Sequence, residues 1–395
     1  MARTEGLRRL SVTSLALALL GIWLAPACEP LEIVQSPDGG TAAGGALPYD
    51  GGSADADADA NGGQGPGLDA GTGPVLVGLS PNPAGAGGGL PSEAEALAAR
   101  LTTFAVGVRT VVVARSWQEV STQGIDALSA EVASYRARDL AVVLNLLVID
   151  RYADHRPPAV AGLAWNAPAT VTALEATVDT LLDALGAQLH ALVLSRETDA
   201  YLVANPEQAS GLVELMSAVI LHAEAYADGE PRSGVGLSFV GLSPSAAYRQ
   251  LLELGQLAVW SYQPGLGEEQ VPNDTSTAND LDTMIDLAGT KPIVLLAAGA
   301  STDDELGATE EGQRHFLASL FGALEARRSH FDLVNVDELH DRGAGTCAAL
   351  AASRGELPDG PYASYTCRSG LKGVDGEPKP AWLSFIEGAA AFASP

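Results

Sequence analysis

Lysine is almost missing from this chain: Lys291, Lys372 and Lys379 are the only ones in 395 residues. Lysine and arginine together number 22 against 49 acidic residues, for a formal net charge of -27. With no basic patch to meet phosphates, nucleic acid is not an expected partner. Acidity on this scale serves solubility more than any one partner. Cysteine is as scarce, at three, and no CxxC or HxxxH spacing accompanies it, so no metal site is expected. The six histidines (His155, His190, His222, His315, His330 and His340) are scattered. No Gly-x-Ser-x-Gly elbow is present either, which removes the serine hydrolases. Gly85-Ala-Gly-Gly-Gly89 falls short of a dinucleotide fingerprint because Leu90 occupies its last glycine position, so no cofactor is expected.

What the chain does have begins with an apolar run, Leu10 to Ala27, behind Arg3, Arg8 and Arg9. The run is too short and too early for a spanning helix and reads as a secretory signal. It ends in Ala25-Pro-Ala-Cys28, which resembles a bacterial lipoprotein signal. That resemblance makes residues 1–28 the signal, places a lipid on Cys28 and ties the protein to a membrane on the extracytoplasmic side, periplasmic or outer. Pro26 is unusual there, and simple cleavage with secretion is the alternative. Residues 29–73 follow as a linker, nearly all Gly, Ala, Asp, Pro and Ser from Ser36 onward. A segment with so little apolar surface does not offset its ordering entropy and is expected to be a disordered acidic tether. Its Ala54-Asp-Ala-Asp-Ala-Asp-Ala60 repeat offers calcium no other ligands and no turn, so a spacer is the simpler role.

Residues 74–395 are long enough for one large domain. Eight short runs rich in Val, Leu and Ile recur, at residues 75–79, 110–114, 141–147, 191–195, 234–239, 257–262, 293–296 and 331–336. They are continuous rather than alternating, as strands buried on both faces are. Helical periodicity fills the gaps, from Ser92 to Thr103, Thr170 to Leu189, Pro206 to Ala227 and Glu310 to Arg328. Repeated strand–helix alternation predicts a closed (β/α)8 barrel of the α/β class, with an open doubly wound sheet as the other arrangement. Cys347 and Cys367, in a loop-rich C-terminal stretch, are expected to form a disulfide outside the cytoplasm.

In such a barrel the reactive groups stand at the C-terminal ends of the strands. Here those ends carry Trp117 after strand 2, Asp150-Arg151 after strand 3, and Arg196-Glu197-Thr-Asp199-Ala-Tyr201 after strand 4. Trp260-Ser-Tyr262 follows on strand 6, Ala297-Ala-Gly299 on strand 7, and Asp337-Glu338 on strand 8. This set, with the ending Lys379-Pro-Ala-Trp382, resembles the clan A glycoside hydrolases over most of residues 75–390. The resemblance implies that Glu197 is the acid/base, with Asp199 and Tyr201 in the same frame. It also marks two departures. Arg196 stands where an asparagine would bond the sugar, and Ala297 stands where the nucleophilic glutamate belongs. Retaining hydrolysis needs two carboxyls about 5–5.5 Å apart, and alanine cannot attack.

Three functions follow. A pseudoenzyme would bind a saccharide or polysaccharide in a groove of Trp117, Asp150, Trp165, Arg196, Asp199, Tyr201, Trp260 and Tyr262 without cutting it. An active inverting enzyme would use Glu197 as general acid and Asp337 or Glu338 as a relocated base. A non-catalytic scaffold would hold Arg196 and Glu197 as a buried ion pair. Asp303 and Asp304 are expected to cap the helix that starts near Glu310. His155 sits in the loop after strand 3, where it either faces solvent or lines the cleft.

Overall fold

The computed structural model describes residues 74–85, 90–226, 229–239, 245–265 and 274–393. The signal, Cys28 and the linker lie outside them, as does most of the glycine run 85–89. Eight parallel strands close into a barrel. They are β1 (Leu76–Leu79), β2 (Thr110–Ser116), β3 (Ala141–Asp150), β4 (Ala191–Arg196), β5 (Arg232–Ser238), β6 (Ala258–Tyr262), β7 (Ile293–Ala298) and β8 (Phe331–Val336). Each apolar run of the sequence has become one of them. β1 closes the ring against β8, from Leu76 opposite Leu333 to Leu79 opposite Val336, so the sheet is not open. A two-residue antiparallel strand, Ala153–Asp154, folds back on the end of β3.

Alternation along each strand builds two cores. Val143, Val193, Val259, Val294 and Leu333 point inward and fill the barrel. Their neighbours Leu144, Leu194, Trp260, Leu295 and Val334 point outward against the helices. The helix Pro168–Leu185 shows why the outer layer forms: Leu174, Val178, Leu181, Leu182 and Leu185 lie on one stripe, and all are buried. Ser92 starts the helix Glu93–Ala105 through a capping box with Glu95, and Ser116 starts Trp117–Gln123 the same way with Glu119. The expected cap at Asp303 is displaced. Its side chain caps the short turn Asp304–Leu306, and Thr309 caps the helix Glu310–Glu325.

After β8 the chain does not go straight to its last helix. It first builds the helices Ala344–Ser353 and Pro361–Cys367, joined by a Cys347–Cys367 disulfide with Cα atoms 5.6 Å apart. Such a bond suits an oxidising compartment. The ending Lys379-Pro-Ala-Trp382 then locks the final helix, Pro380–Ala393. Lys379 is buried, with Nζ 2.7 Å from Asp341 Oδ1 and 2.8 Å from Thr302 Oγ1. Among the described residues no helix is long and apolar enough to cross a membrane.

Candidate functional site at the barrel mouth

The end of β4 turns sharply. Ser195 and Glu197 have φ angles of 65° and 51°, and Arg151 at the end of β3 has 59°. Non-glycine residues enter this region at a cost and stay only where their surroundings hold them. The holding contacts are visible. Ser195 Oγ accepts a hydrogen bond from the Ile149 N–H at 3.0 Å. On the other side β5 presses so close that a Cβ on Gly236 would lie 2.5 Å from the Ser195 carbonyl oxygen.

This turn delivers Glu197 to the mouth at 2% exposure. Its Oε2 accepts from Arg151 Nη1 at 2.7 Å. Arg151 is itself held by Glu356, and its guanidinium lies 3.9 Å from the centre of the Tyr362 ring. Arg196 does not pair with its chain neighbour Glu197, contrary to the expectation for a scaffold. It grips Asp150 with two bonds, Nε to Oδ1 at 2.8 Å and Nη2 to Oδ2 at 2.7 Å. The reason is register: Asp150 is opposite Arg196 across β3 and β4, whereas successive residues on a strand face opposite ways. Burial pushes the Asp150 carboxyl up, but Arg196 and Arg354 outweigh it and hold it below its ordinary range.

The far side of the mouth is different. Ser261 pairs with Ala297 and Tyr262 with Ala298 across β6 and β7. Because Val259 is an inner residue, Ser261 faces the barrel interior, and Ala297, its partner past a register shift in the ladder, presents only a methyl group there. On the adjacent chain end, Asp337 Oδ2 accepts from Gln263 Nε2 at 3.2 Å. Glu338, 1% exposed, accepts from Arg342 Nη2 at 2.6 Å through Oε1, while its Oε2 has no protein partner. Burial pushes the Glu338 carboxyl up to about 7, with Arg342 opposing and Asp337 reinforcing the shift.

The disulfide-linked segment lies over this arrangement, a role beyond the disulfide expected of it. Tyr365 is buried, with its hydroxyl 2.8 Å from the Pro264 carbonyl oxygen and 2.9 Å from that of Gly299, so it spans the ends of β6 and β7. Arg354 and Tyr362 are also buried; they bond to each other, and Arg354 Nε stands 3.7 Å from Asp150 Oδ2. Their signal was the pairing of Arg354 and the Pro361-Tyr-Ala-Ser-Tyr365 stretch with the two cysteines. The cage contains four guanidiniums (Arg151, Arg196, Arg342, Arg354) against five carboxyls (Asp150, Glu197, Asp337, Glu338, Glu356). One bound proton balances it, and the raised Glu338 is the group placed to carry that proton.

The aromatic side chains expected along a groove have gone elsewhere. Trp117 is fully buried and donates from its indole to Thr177 Oγ1 at 3.0 Å. Trp260 and Tyr262 are outward residues of β6, fully buried among the helices, and bond to Tyr248 and Asp280. Trp165 and Tyr201 pack edge to face at 5.9 Å, and both bond Gln208. All five are core side chains; Trp260 and Tyr262 are so because residues two apart along a strand share a face, and here that face is the helix side. Asp199 is half-buried and accepts from the Ser238 amide at 2.7 Å and from its hydroxyl. Burial pushes its carboxyl up to about 6, although the two Ser238 bonds pull it down.

Two clefts open near the C-terminal face. One of about 960 Å³ lies between the loop after β7 and the disulfide segment and is rich in carboxylates. One of about 330 Å³ lies beside β2 and β3, with Asp150 and His155 in its wall. Glu197 lines neither. Among the described residues no group of three or more His, Cys, Asp or Glu side chains is placed to hold a metal ion.

No family model and no curated protein matches this sequence. Solved structures do. A point variant of a GH5_18 enzyme from Bifidobacterium longum, in complex with Manb1-4GlcNAc, is 16% identical with a TM-score of 0.62, over 81% of this chain and 79% of that one. An exo-beta-1,4-mannosidase from Opitutaceae bacterium strain TAV5 is 15% identical with a TM-score of 0.61, over 80% of this chain and 59% of that one. A beta-glucosidase is 12% identical with a TM-score of 0.51. The fold is therefore a glycoside hydrolase-like (β/α)8 barrel.

Proposed function

We propose that this chain is a glycoside hydrolase-like barrel that recognises a saccharide and does not cleave it. The observation that carries the loss of hydrolysis is the closed mouth. Glu197 is committed to Arg151 under Tyr362, and the end of β7 offers Ala297 instead of a second carboxylate. A general acid must come within about 2.6–3.2 Å of the oxygen it protonates, and a buried, covered carboxylate does not. Saccharide recognition is supported by the fold's neighbours, one of which is in complex with a disaccharide. The acidic linker and a lipid on Cys28 would hold the barrel outside the cytoplasm, on the periplasmic or outer face, in keeping with its disulfide.

One observation favours a second function. A buried carboxyl raised to about 7 is the form a general acid takes, and Glu338 has it. An inverting hydrolase would then set Glu338 against Glu197 or Asp337. The test is an assay of the full chain on aryl β-glycosides and β-linked polysaccharides, beside Glu197→Gln and Glu338→Gln. No turnover in any of the three is the expected result. Turnover in the parent that disappears in either variant would overturn the proposal and install the inverting mechanism.

A further inference from the structure

We propose that the 330 Å³ cleft beside β2 and β3 is the saccharide site, and that it takes one neutral pyranose ring. This rests on the non-hydrolytic, saccharide-binding function above and gives it a place. The cleft sits between the helix Trp117–Gln123, the end of β3 and the last residue of the helix Ala344–Ser353. It is thus on the face of the barrel where such folds bind ligands. Its volume is at the small end of ligand pockets, about 300–1,000 Å³, which suits a single ring and not a polymer chain.

The lining selects the ligand's charge. Two carboxylates reach the wall, and both are already answered. Glu119 Oε2 accepts from the Ser116 amide and hydroxyl at 2.7 and 2.8 Å, and Asp150 is gripped by Arg196. No cation lines the cleft, so phosphates and sulfates gain nothing there. What remains is uncharged and hydrogen-bonding: the Gln118, Thr122 and Gln123 face of the helix, which is exposed and reachable, and Ser353. His155 also lines the cleft, and its Nε2 is buried without a protein partner. A buried polar atom in that state calls for a hydroxyl or a water. A polyhydroxylated neutral ring supplies one, together with partners for the glutamine amides. The same cleft touches the mouth: Asp150 is shared with Arg354, the residue after Ser353, so occupancy would also steady the covering segment.

The experiment is calorimetric titration of the full chain with D-mannose, D-glucose and cellobiose. Saturable binding of at least one of these is expected. Gln118→Trp places a ring in the cleft from an exposed helix position and should abolish it, with the melting temperature unchanged. His155→Ala should weaken binding about tenfold, the equivalent of one lost hydrogen bond. Binding that persists undiminished in Gln118→Trp overturns this site and leaves saccharide recognition standing elsewhere. No binding of any of the three probes to the parent overturns saccharide recognition itself, and the site with it.

Discussion

At the end of β4, Ser195 to Glu197 carry two positive φ angles and two charges, Glu197 buried and Arg196 partly so, and each charge has an opposite partner. At the end of β7, Leu296 to Ala298 carry no charge and no positive φ angle. The two ends flank one mouth, and the difference lies in how each holds charge. A buried charge survives where a counter-charge is fixed beside it, as Arg151 and Arg196 fix Glu197 and Asp150. Where a carboxylate has no such partner, alanine is the quieter occupant, and the Tyr365 hydroxyl spans the gap from Pro264 to Gly299. A carboxylate added at this end would be the sixth of the cage, with no fifth guanidinium to meet it.

The largest effects should come from upsetting either end. Arg196→Ala leaves Asp150 buried with only the more distant Arg354. Ala297→Glu adds an unpaired carboxylate at a 2% exposed position. Each should lower the unfolding free energy in urea by about 3–5 kcal/mol, the usual consequence of an uncompensated buried charge. Ala297→Glu should also fail to produce glycoside turnover, because Glu197 stays covered. A variant as stable as the parent would mean that the β7 end has a spare cation, and the contrast between the two ends would fall.

Next in size is the disulfide. Replacing Cys347 and Cys367 by serine releases a link across a sequence separation of 20 residues, worth about 3 kcal/mol in the chain-entropy model. The loss should be local. Amide exchange should speed up in the helices Ala344–Ser353 and Pro361–Cys367 while β4 stays protected. Equal acceleration in β4 would show that the covering segment and the β4 end fold as one unit.

The barrel itself was legible from sequence, since eight continuous apolar runs translate directly into strands buried on both faces. So were Pro168–Leu185, from its stripe, and the Cys347–Cys367 pair. The mouth was not legible, for two physical reasons. Which charge meets which depends on cross-strand register, and chain adjacency wrongly suggested Arg196 with Glu197 where register joins Arg196 to Asp150. Which face an aromatic takes depends on the phase of alternation: Val259 and Ser261 point in, so Trp260 and Tyr262 point out, away from the groove expected of strand-end aromatics. The covering residues Arg354, Tyr362 and Tyr365 come from a long connection whose destination no local pattern encodes.

A smaller effect is a pH dependence set by Glu338. Its carboxyl is at about 7 in the folded chain, against 4.5 for a free glutamate, so the folded state holds the proton more tightly. That contribution is fully present below about pH 4.5 and is lost as pH rises through 7, for a total of about 3 kcal/mol. Asp199, raised to about 6, adds a loss of the same sign at slightly lower pH. Comparing the parent with Glu338→Gln isolates the first term. The two should be similar in stability at pH 4, and the variant should be the more stable at pH 8. Parallel curves across that range would mean that Glu338 does not carry the cage's balancing proton.

The smallest effect sets the two ends against each other with one chemical change. Ser195→Ala at the β4 end strips the Ile149 N–H of its acceptor in a fully buried place, which should cost about 1–3 kcal/mol. Ser261→Ala, beside Ala297, removes a buried hydroxyl whose Oγ has no protein partner, and should change stability by less than about 0.5 kcal/mol in either direction. Both serines are buried to a similar degree and each loses the same single oxygen, so apolar transfer cancels between them. What remains is the hydrogen bond that Ser195 makes at the β4 end and that Ser261, on β6 beside the β7 end, lacks. Chemical denaturation of the two variants side by side measures that difference. Equal costs would place a bound water on Ser261 and make the β6–β7 side of the mouth as tightly satisfied as the β4 end.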